Sequence, residues 1–356
     1  MRTETTDPAT LLDPLDRRLV CALQVDGRAE PGLLAEVLGV SVRTVTRRLA
    51  RLRETGVLRV VLLPRAADEA VGALLLRVRV LSGRVAAVAD ALVARSDVPF
   101  VDLMLGGQEI SAVVVTDRAG RDQLLYRQLP ATDAVVETTV HAVLHLFADA
   151  ARWQAGLLTP EEVAALTPTA LTPTAPTAAD PTPAEPAPST AAPAAPPELD
   201  QLDRALLGEL AEDARRSAAG LAQALDAPES TVRRRLRRLA AAGLLRTHAT
   251  VDPRLLGMTV DANLWLSVPP GRLAEAGRVL AAHPQVHGVV ATSGPHNLMA
   301  AVFCPDHGAL YRFTTEVLGP LGADRVETAI VARAVKRAGV RITRPGAVRP
   351  GAPDSR

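Results

Sequence analysis

Between Ser41 and Arg53 the chain carries Arg43, Arg47, Arg48, Arg51 and Arg53 and no acid. On a helix Arg43, Arg47 and Arg51, spaced by four, form one stripe. Val42, Val45, Leu49 and Leu52 form an apolar stripe opposite it. Guanidinium groups in such a row can pair with phosphates or take guanine edges, and Thr44 and Thr46 can meet bases or backbone. A second run offers the same chemistry through Ser230, Thr231, Arg233, Arg234, Arg235, Arg237 and Arg238. A charged stripe is often merely solvated, and with one lysine in the chain, Lys336, arginine is its ordinary basic residue. The elements that position the stripe therefore have to decide.

Asp13 can cap a helix carrying Leu15, Leu19, Ala22 and Leu23 at helical spacing, with Gly27 as its stop. Leu33, Leu34, Val37 and Leu38 make a second short helix, and Gly39 turns the chain. Ser41 is a good N-cap for a third, which Gly56 ends before an extended run from Val57 to Leu63. Three short helices with a glycine turn before the last is the helix-turn-helix layout, and it predicts double-stranded DNA as the partner. In the second run Pro228 stands where Ser41 stands, so Asp226 or Ala227 is expected to start the helix. Asp16 and Asp203 read as first-turn acids that favour the helix dipole.

The two runs belong to a longer internal repeat. Leu12-Asp-x-Leu-Asp16 returns as Leu199-Asp-x-Leu-Asp203, an offset of 187 that holds without a gap through Gly56 and Gly243. Asp26 meets Asp213, Arg28 meets Arg215, and Arg47-Arg48-Leu49 meets Arg234-Arg235-Leu236. Further on, Val136-Glu-Thr138 meets Val326-Glu-Thr328. The unit is about 140 residues, too long for a solenoid repeat and suited to a pair of domains. The chain reads as a tandem duplication.

Behind each three-helix segment the pattern runs strand, helix, strand, strand, helix, strand. In the first copy these are 73–81, 84–96, 100–105, 110–115, 119–129 and 135–143. In the second they are 263–268, 272–282, 286–292, 298–303, 308–318 and 325–335. The fold class is thus α+β: two repeats of a winged-helix-like helix-turn-helix domain followed by a ferredoxin-like βαββαβ domain. Expected boundaries are 11–63 and 70–150 for the first copy, and 198–250 and 256–340 for the second. Between them, 151–197 holds a short helix opened by the capping box Thr159-Pro-Glu-Glu162, then a Pro/Ala/Thr-rich linker expected to be disordered. Residues 341–356 read as a loose tail.

Bulk properties fit this reading. In 356 residues, 48% are apolar but only 2% aromatic, so cores must be Leu, Val and Ala, and stacked RNA platforms are disfavoured. Net charge is +1, so any nucleic-acid affinity has to be local. Cys21 and Cys304 read as buried reduced thiols, and no apolar leader or membrane-length run occurs, so a cytoplasmic protein is expected. No HExxH, CxxC, phosphate loop, GxGxxG or nucleophile elbow occurs, so no catalytic residue, cofactor or metal is expected.

Together these residues resemble the Lrp/AsnC family of feast/famine regulators. The resemblance rests on Leu12-Asp-x-Leu-Asp16, Asp26-Gly-Arg28, Leu34-Ala35, Leu38-Gly-Val-Ser41, Arg47-Arg-Leu49, Leu52 and Gly56-Val-Leu58, and on Glu137-Thr138 and Glu327-Thr328. It implies a transcription regulator whose second domains pair, assemble further as homo-oligomers, and commonly bind an amino acid or related metabolite between them. It puts the effector site at Gly106, Gly107 and Glu109, and at Thr292, Gly294 and Asn297. A glycine turn there exposes backbone amides to a carboxylate. The family's turn carries Asp where this chain has Glu109 and Asn297. The duplication suggests a pseudo-dimer within one chain, reading an asymmetric operator because the two helices differ. The rivals are a haem-pathway (siroheme-type) decarboxylase of the same domain order and an architectural DNA binder that senses nothing. For the former, His283, His287, His296 and His307 lack counterparts in the first copy, while His141 and His145 are expected on one strand face.

Overall fold

The computed structural model describes residues 12–62, 72–150, 153–167, 199–344 and 347–348. In chain order the elements are α1 (Pro14–Val25), α2 (Pro31–Leu38), α3 (Val42–Glu54), β1 (Arg59–Leu62), β2 (Gly72–Val80), α4 (Val85–Val93), β3 (Phe100–Met104), β4 (Glu109–Thr116), α5 (Arg118–Gln123) and β5 (Val135–Ala148). Then come α6 (Pro160–Leu166), α7 (Gln201–Glu212), α8 (Ala218–Ala224), α9 (Glu229–Ala241), β6 (Thr247–Thr250), β7 (Val260–Ser267), α10 (Leu273–Ala281), β8 (Val286–Thr292), β9 (Leu298–Cys304), α11 (His307–Arg312), β10 (Arg325–Arg337), β11 (Val340–Arg344) and β12 (Ala347–Val348).

Each three-helix module closes on an aliphatic core. In the first, Leu19, Leu23, Leu34, Val45, Leu49, Leu52 and Leu58 are buried together; in the second, Leu206, Leu210, Leu221, Val232, Leu236 and Leu239. Gly39 takes the left-handed conformation that ends α2 (φ 68°), and the Ser41 hydroxyl accepts from Thr44 N to open α3. The start of α9 differs from expectation: Pro228 itself is the N-cap residue, and Asp226 stands before it at φ 47°. Proline can do this because a cap residue's own N–H is not needed for the helix.

The modules are joined to each other. β1 and β6 pair antiparallel, Val60 opposite Ala249. Arg215 donates to Gly27 O (2.7 Å) and Ala29 O (3.0 Å), and Arg28 returns the bond to Ala214 O. Gly27, expected as a helix stop, serves this contact. The cap of α1 is Asp26, whereas a Cβ on Gly27 would stand 2.6 Å from Thr247 Oγ1 and 2.7 Å from Val60 Cγ1.

The strands behind them close a barrel. Within each unit the order is β5-β2-β4-β3 and β10-β7-β9-β8, all antiparallel. The two long last strands carry the closure. β5 pairs β2 through its first half and β8 through its second, and β10 pairs β7 and then β3. Closure leaves no open edge between the units. The last strand of the first unit, expected to end at Val143, therefore runs on to Ala148. A register shift between Val143 and His145 undoes the expected shared face: His141 is buried and His145 exposed.

Each four-stranded set packs its helices outside, against Leu76, Val78, Ile110 and Val114 in one unit and Leu264, Leu298, Ala300 and Val302 in the other. The inner faces meet at Leu75, Trp265 and Val290. α6 is tied into the first module by Leu166 in its core and Arg18 on Glu162, while Trp153 before it donates to Pro284 O at 2.9 Å. The tail expected from residue 341 begins instead as a strand. Ala338 (φ 47°) and Gly339 (φ 79°) form a two-residue turn, and β11 folds back on β10. The expected disordered linker, from residue 168 to 197, and the last eight residues lie outside the described residues.

Candidate nucleic-acid interface

Three residues of α3, Val45, Leu49 and Leu52, face the core, so the remaining positions are fixed outward by the helix period. The arginines then divide. Arg48 pairs with Asp13 (2.5 Å) and Asp16 (2.8 Å), and Arg51 pairs with the other oxygen of Asp16. Asp16 is 1% exposed and also completes a capping box with Asp13. Its burial is offset by these two guanidiniums and the Asp13 backbone N–H. The second module repeats the device: Arg235 on Asp200 (2.5 Å) and Asp203 (3.1 Å), Arg238 on Asp203, with Asp203 fully buried. The first-turn acids thus clamp the third helix to the first. The signal was in the repeat, which carries both acids and both arginines at the same offset.

Arg43, Arg47, Arg234 and Arg237 are exposed and have no ion-pair partner among the described residues. Arg233 is held by Glu229 at 2.6 Å, and Arg53 by Asp213 of the other module at 2.5 Å. Ser41 and Thr44 share a hydrogen bond of 2.9 Å, and the Thr46 hydroxyl is turned back on Val42 O. Ser230 is exposed and Thr231 half-buried beside it.

The two turns singled out in the sheet domains each pack on the last strand of the opposite unit. Leu105 N, just before Gly106 and Gly107, donates to Ile330 O, and Ser293 N, between Thr292 and Gly294, donates to Ala142 O. Their polar side chains are engaged internally. Glu109 pairs with Arg77 at 2.8 Å, Arg77 reaches Glu327 of the other unit at 2.6 Å, and His296 lies 3.5 Å from Glu327. Arg77 holds the Glu327 carboxyl below its usual range, against a smaller opposing effect of burial. Asn297 clasps Val268 through both backbone groups, and Thr292 donates to His296 O. A chain of polar side chains therefore links the two turns across the units. The histidines of the second unit do not gather: His283 packs on Phe313 and His287 stacks on Phe303. No cluster able to hold a metal occurs among the described residues.

Residues 12–59 match the winged helix-turn-helix DNA-binding family, 199–240 the AsnC-type helix-turn-helix domain, and 261–340 the Lrp/AsnC ligand binding domain. An HTH-type transcriptional regulator of Pyrococcus horikoshii is 32% identical over 136 residues, 38% of this chain and 86% of the relative. The chain belongs to the Lrp/AsnC family of transcriptional regulators. Another member, the HTH-type transcriptional regulator Ptr1 of Methanocaldococcus jannaschii, is 30% identical over 124 residues, 35% of this chain and 84% of its own. As an Lrp/AsnC protein the chain is a DNA-binding regulator with a ligand-binding domain, and the relatives are named as regulators rather than enzymes. Each of these two relatives is matched over about the length of one unit. A solved structure with a fold like that of nearly the whole chain is the siroheme decarboxylase NirDL, at TM-score 0.55, covering 91% of this chain and 93% of that one. At 13% identity that likeness is one of fold.

Proposed function

We propose that the chain is a tandem duplication acting as its own dimer: two unequal helix-turn-helix readers on one duplex, carried by two ferredoxin-like sensing domains. The observation that carries this reading is the doubled clamp. The same buried acid holds the same two arginines in each module and leaves the outward face of each third helix to DNA. Among the candidates, Arg43 and Arg47 act on one half-site and Arg234, with Arg237, on the other. Ser41, Thr44, Thr46, Ser230, Thr231 and Arg233 contribute at the rims of the contact. Arg48, Arg51, Arg235 and Arg238 orient the helices through their aspartates, and their outer N–H groups can still meet phosphate.

The ligand-binding domain supports a small-molecule effector, an amino acid or related metabolite being the family's usual kind. At the turns of Gly106, Gly107 and Glu109 and of Thr292, Gly294 and Asn297, the side chains already have partners and the Gly107 and Thr292 amides are bonded to Met104 O and Asn297 O, so the amides of Gly106 and Gly294 are left to recognise it. The fused barrel supports the pseudo-dimer, and further homo-oligomers would form between chains. Cytoplasmic location follows from work on DNA, and no described helix is long and apolar enough to cross a membrane.

Because Thr46 and Ala50 stand where Arg233 and Arg237 stand, the operator is asymmetric. Footprinting on operator DNA tests this: R43A/R47A should remove protection from one half-site and R234A/R237A from the other. A palindromic minimal site, or equal weakening of both halves by either variant, would count against it.

A further inference from the structure

Between the two sheets lies a cavity of about 440 Å³, reached by side chains of both units. Its body is apolar, with Leu75, Val113, Trp265, Val290 and Met299 on the walls. At one end it turns sharply polar. Asp102 of β3 projects to the inner face, while its neighbour Val101 faces the helices. Beside it stand Arg337 of β10 and His287 of β8, with Asp261 of β7 behind. Arg337 bonds both Asp102 (3.2 Å) and Asp261.

These groups are buried and incompletely satisfied. Asp102 and His287 are each 6% exposed. Asp102 meets Arg337 at 3.2 Å through each of its carboxyl oxygens and His287 Nε2 stands 3.6 Å from Asp261 Oδ1, while Arg337 Nε has no hydrogen-bond partner among the described residues. A carboxyl and a guanidinium at the wall of an otherwise apolar cavity give an occupant a polar end to bind. The charges say which kind. Two carboxyls share one guanidinium, and His287 is kept neutral by its burial, against the pull of Asp261. Nearby, Arg246 pairs with Asp149 (2.7 Å) and Arg254 with Asp252 (2.5 Å). Among the described residues, the two carboxyls on Arg337 are thus one positive charge short.

We propose that the interior of the barrel binds a small apolar amine, its ammonium on Asp102 and its hydrocarbon body against Trp265, Val290 and Leu75. A carboxylate ligand would add a third acid to one guanidinium, and an uncharged one would leave the deficit. In the empty site a proton covers it: burial, with Asp261 nearby, pushes the Asp102 carboxyl up to about 7 despite Arg337. An arriving ammonium replaces that proton, the carboxyl becoming carboxylate and one proton leaving to solvent. The inference rests on the chain being a ligand-binding regulator and adds, apart from the two turns, a second place and the chemical class it takes. Since both units line the cavity, occupancy bears on how they meet.

Isothermal titration of the full chain with cyclohexylamine and 2-phenylethylamine, against 3-phenylpropionate, tests it. In two buffers of different ionisation heat, saturable binding of one amine per chain should release close to one proton at pH 6 and almost none at pH 8.5. D102N should weaken binding about tenfold or more and abolish the release. S111L, which puts a larger side chain beside Asp102 in the cavity, should exclude the amine while operator binding persists. No saturable binding of either amine up to about 10 mM, a preference for the carboxylate, or unchanged affinity in D102N or S111L overturns the proposal. Operator binding on the same samples keeps the two readings apart: its failure in the parent chain would sink the regulator reading instead.

Discussion

Arg47 and Arg48 are neighbours in sequence with opposite tasks. One points to solvent, and the other is folded onto a carboxylate that water does not reach. Deleting them should therefore separate binding from stability. R47A is expected to weaken operator binding while leaving the thermal midpoint in place. R48A is expected to lower unfolding stability by about 1–3 kcal/mol, because Asp16 then keeps Arg51 but loses a charged hydrogen bond in a buried site. Chemical denaturation reads the second effect, and an R48A midpoint equal to the parent's would show that Asp16 does not need the clamp. Asp102 gives a pH signature. Its carboxyl ionises near 4 in the unfolded chain and near 7 when folded, so the folded state holds the extra proton between those values. Its contribution is fully present below about pH 4 and is lost as pH rises through 7. D102N should flatten that part of the stability profile, and an unchanged slope between pH 5 and 7.5 would exclude Asp102 as its source.

At the scale of elements, the ribbon of β1 and β6 sets how the two reading helices are presented. It is short, so its alignment depends on the contacts flanking it. Gly27 lets Thr247 and Val60 come close, and its carbonyl takes Arg215. The atoms a new Cβ would meet belong to short β-branched side chains in a paired strand, which cannot swing away. G27A is expected to cost about 1–3 kcal/mol and to loosen the spacing between half-sites. The measurement is operator affinity against a series of inserted base pairs, where the parent should show one sharp optimum and G27A a broader one. An equally sharp optimum in G27A would place the spacing elsewhere, in the barrel. Several features of these elements were legible in advance. Helix periodicity and caps gave α1 and α3 nearly to the residue, since those signals are local, while α9 starts at Pro228 rather than at Asp226 or Ala227. The second half of β5 and the turn at Ala338–Gly339 were not, because their reason is a partner strand far away in the chain.

For the whole molecule, the barrel makes two units into one body. Each unit's inner face and the far half of its last strand are completed by the other. A fragment of residues 12–167 would therefore expose Leu75, Val113 and the unpaired end of β5. It is expected to purify as a homodimer that rebuilds the barrel with a second copy of itself. Sedimentation velocity decides, and a stable monomer of that fragment would mean that the inner face is no real interface. On the proposed duplication, the halves are free to differ. Asp102 and Arg337 have come together on the cavity wall, and the His141–Trp265 contact (4.8 Å) lies within the barrel.

The arginine stripes, the three-helix frames and the recurrence of both were readable from the chain alone, because each depends on spacing within a few turns or on similarity between two stretches of sequence. Sequence also carried Asp16, Arg48, Arg28 and Arg215 in matching places, but not what they touch. Only the tertiary structure decided that Arg48, Arg51, Arg235 and Arg238 serve the fold, that Glu109 and Asn297 are held by Arg77 and Val268, and that Asp102 shares a guanidinium with Asp261. Those outcomes depend on which side chains meet across more than a hundred residues of chain, and on burial, which fixes whether a charge there is solvated, paired or left waiting for a partner.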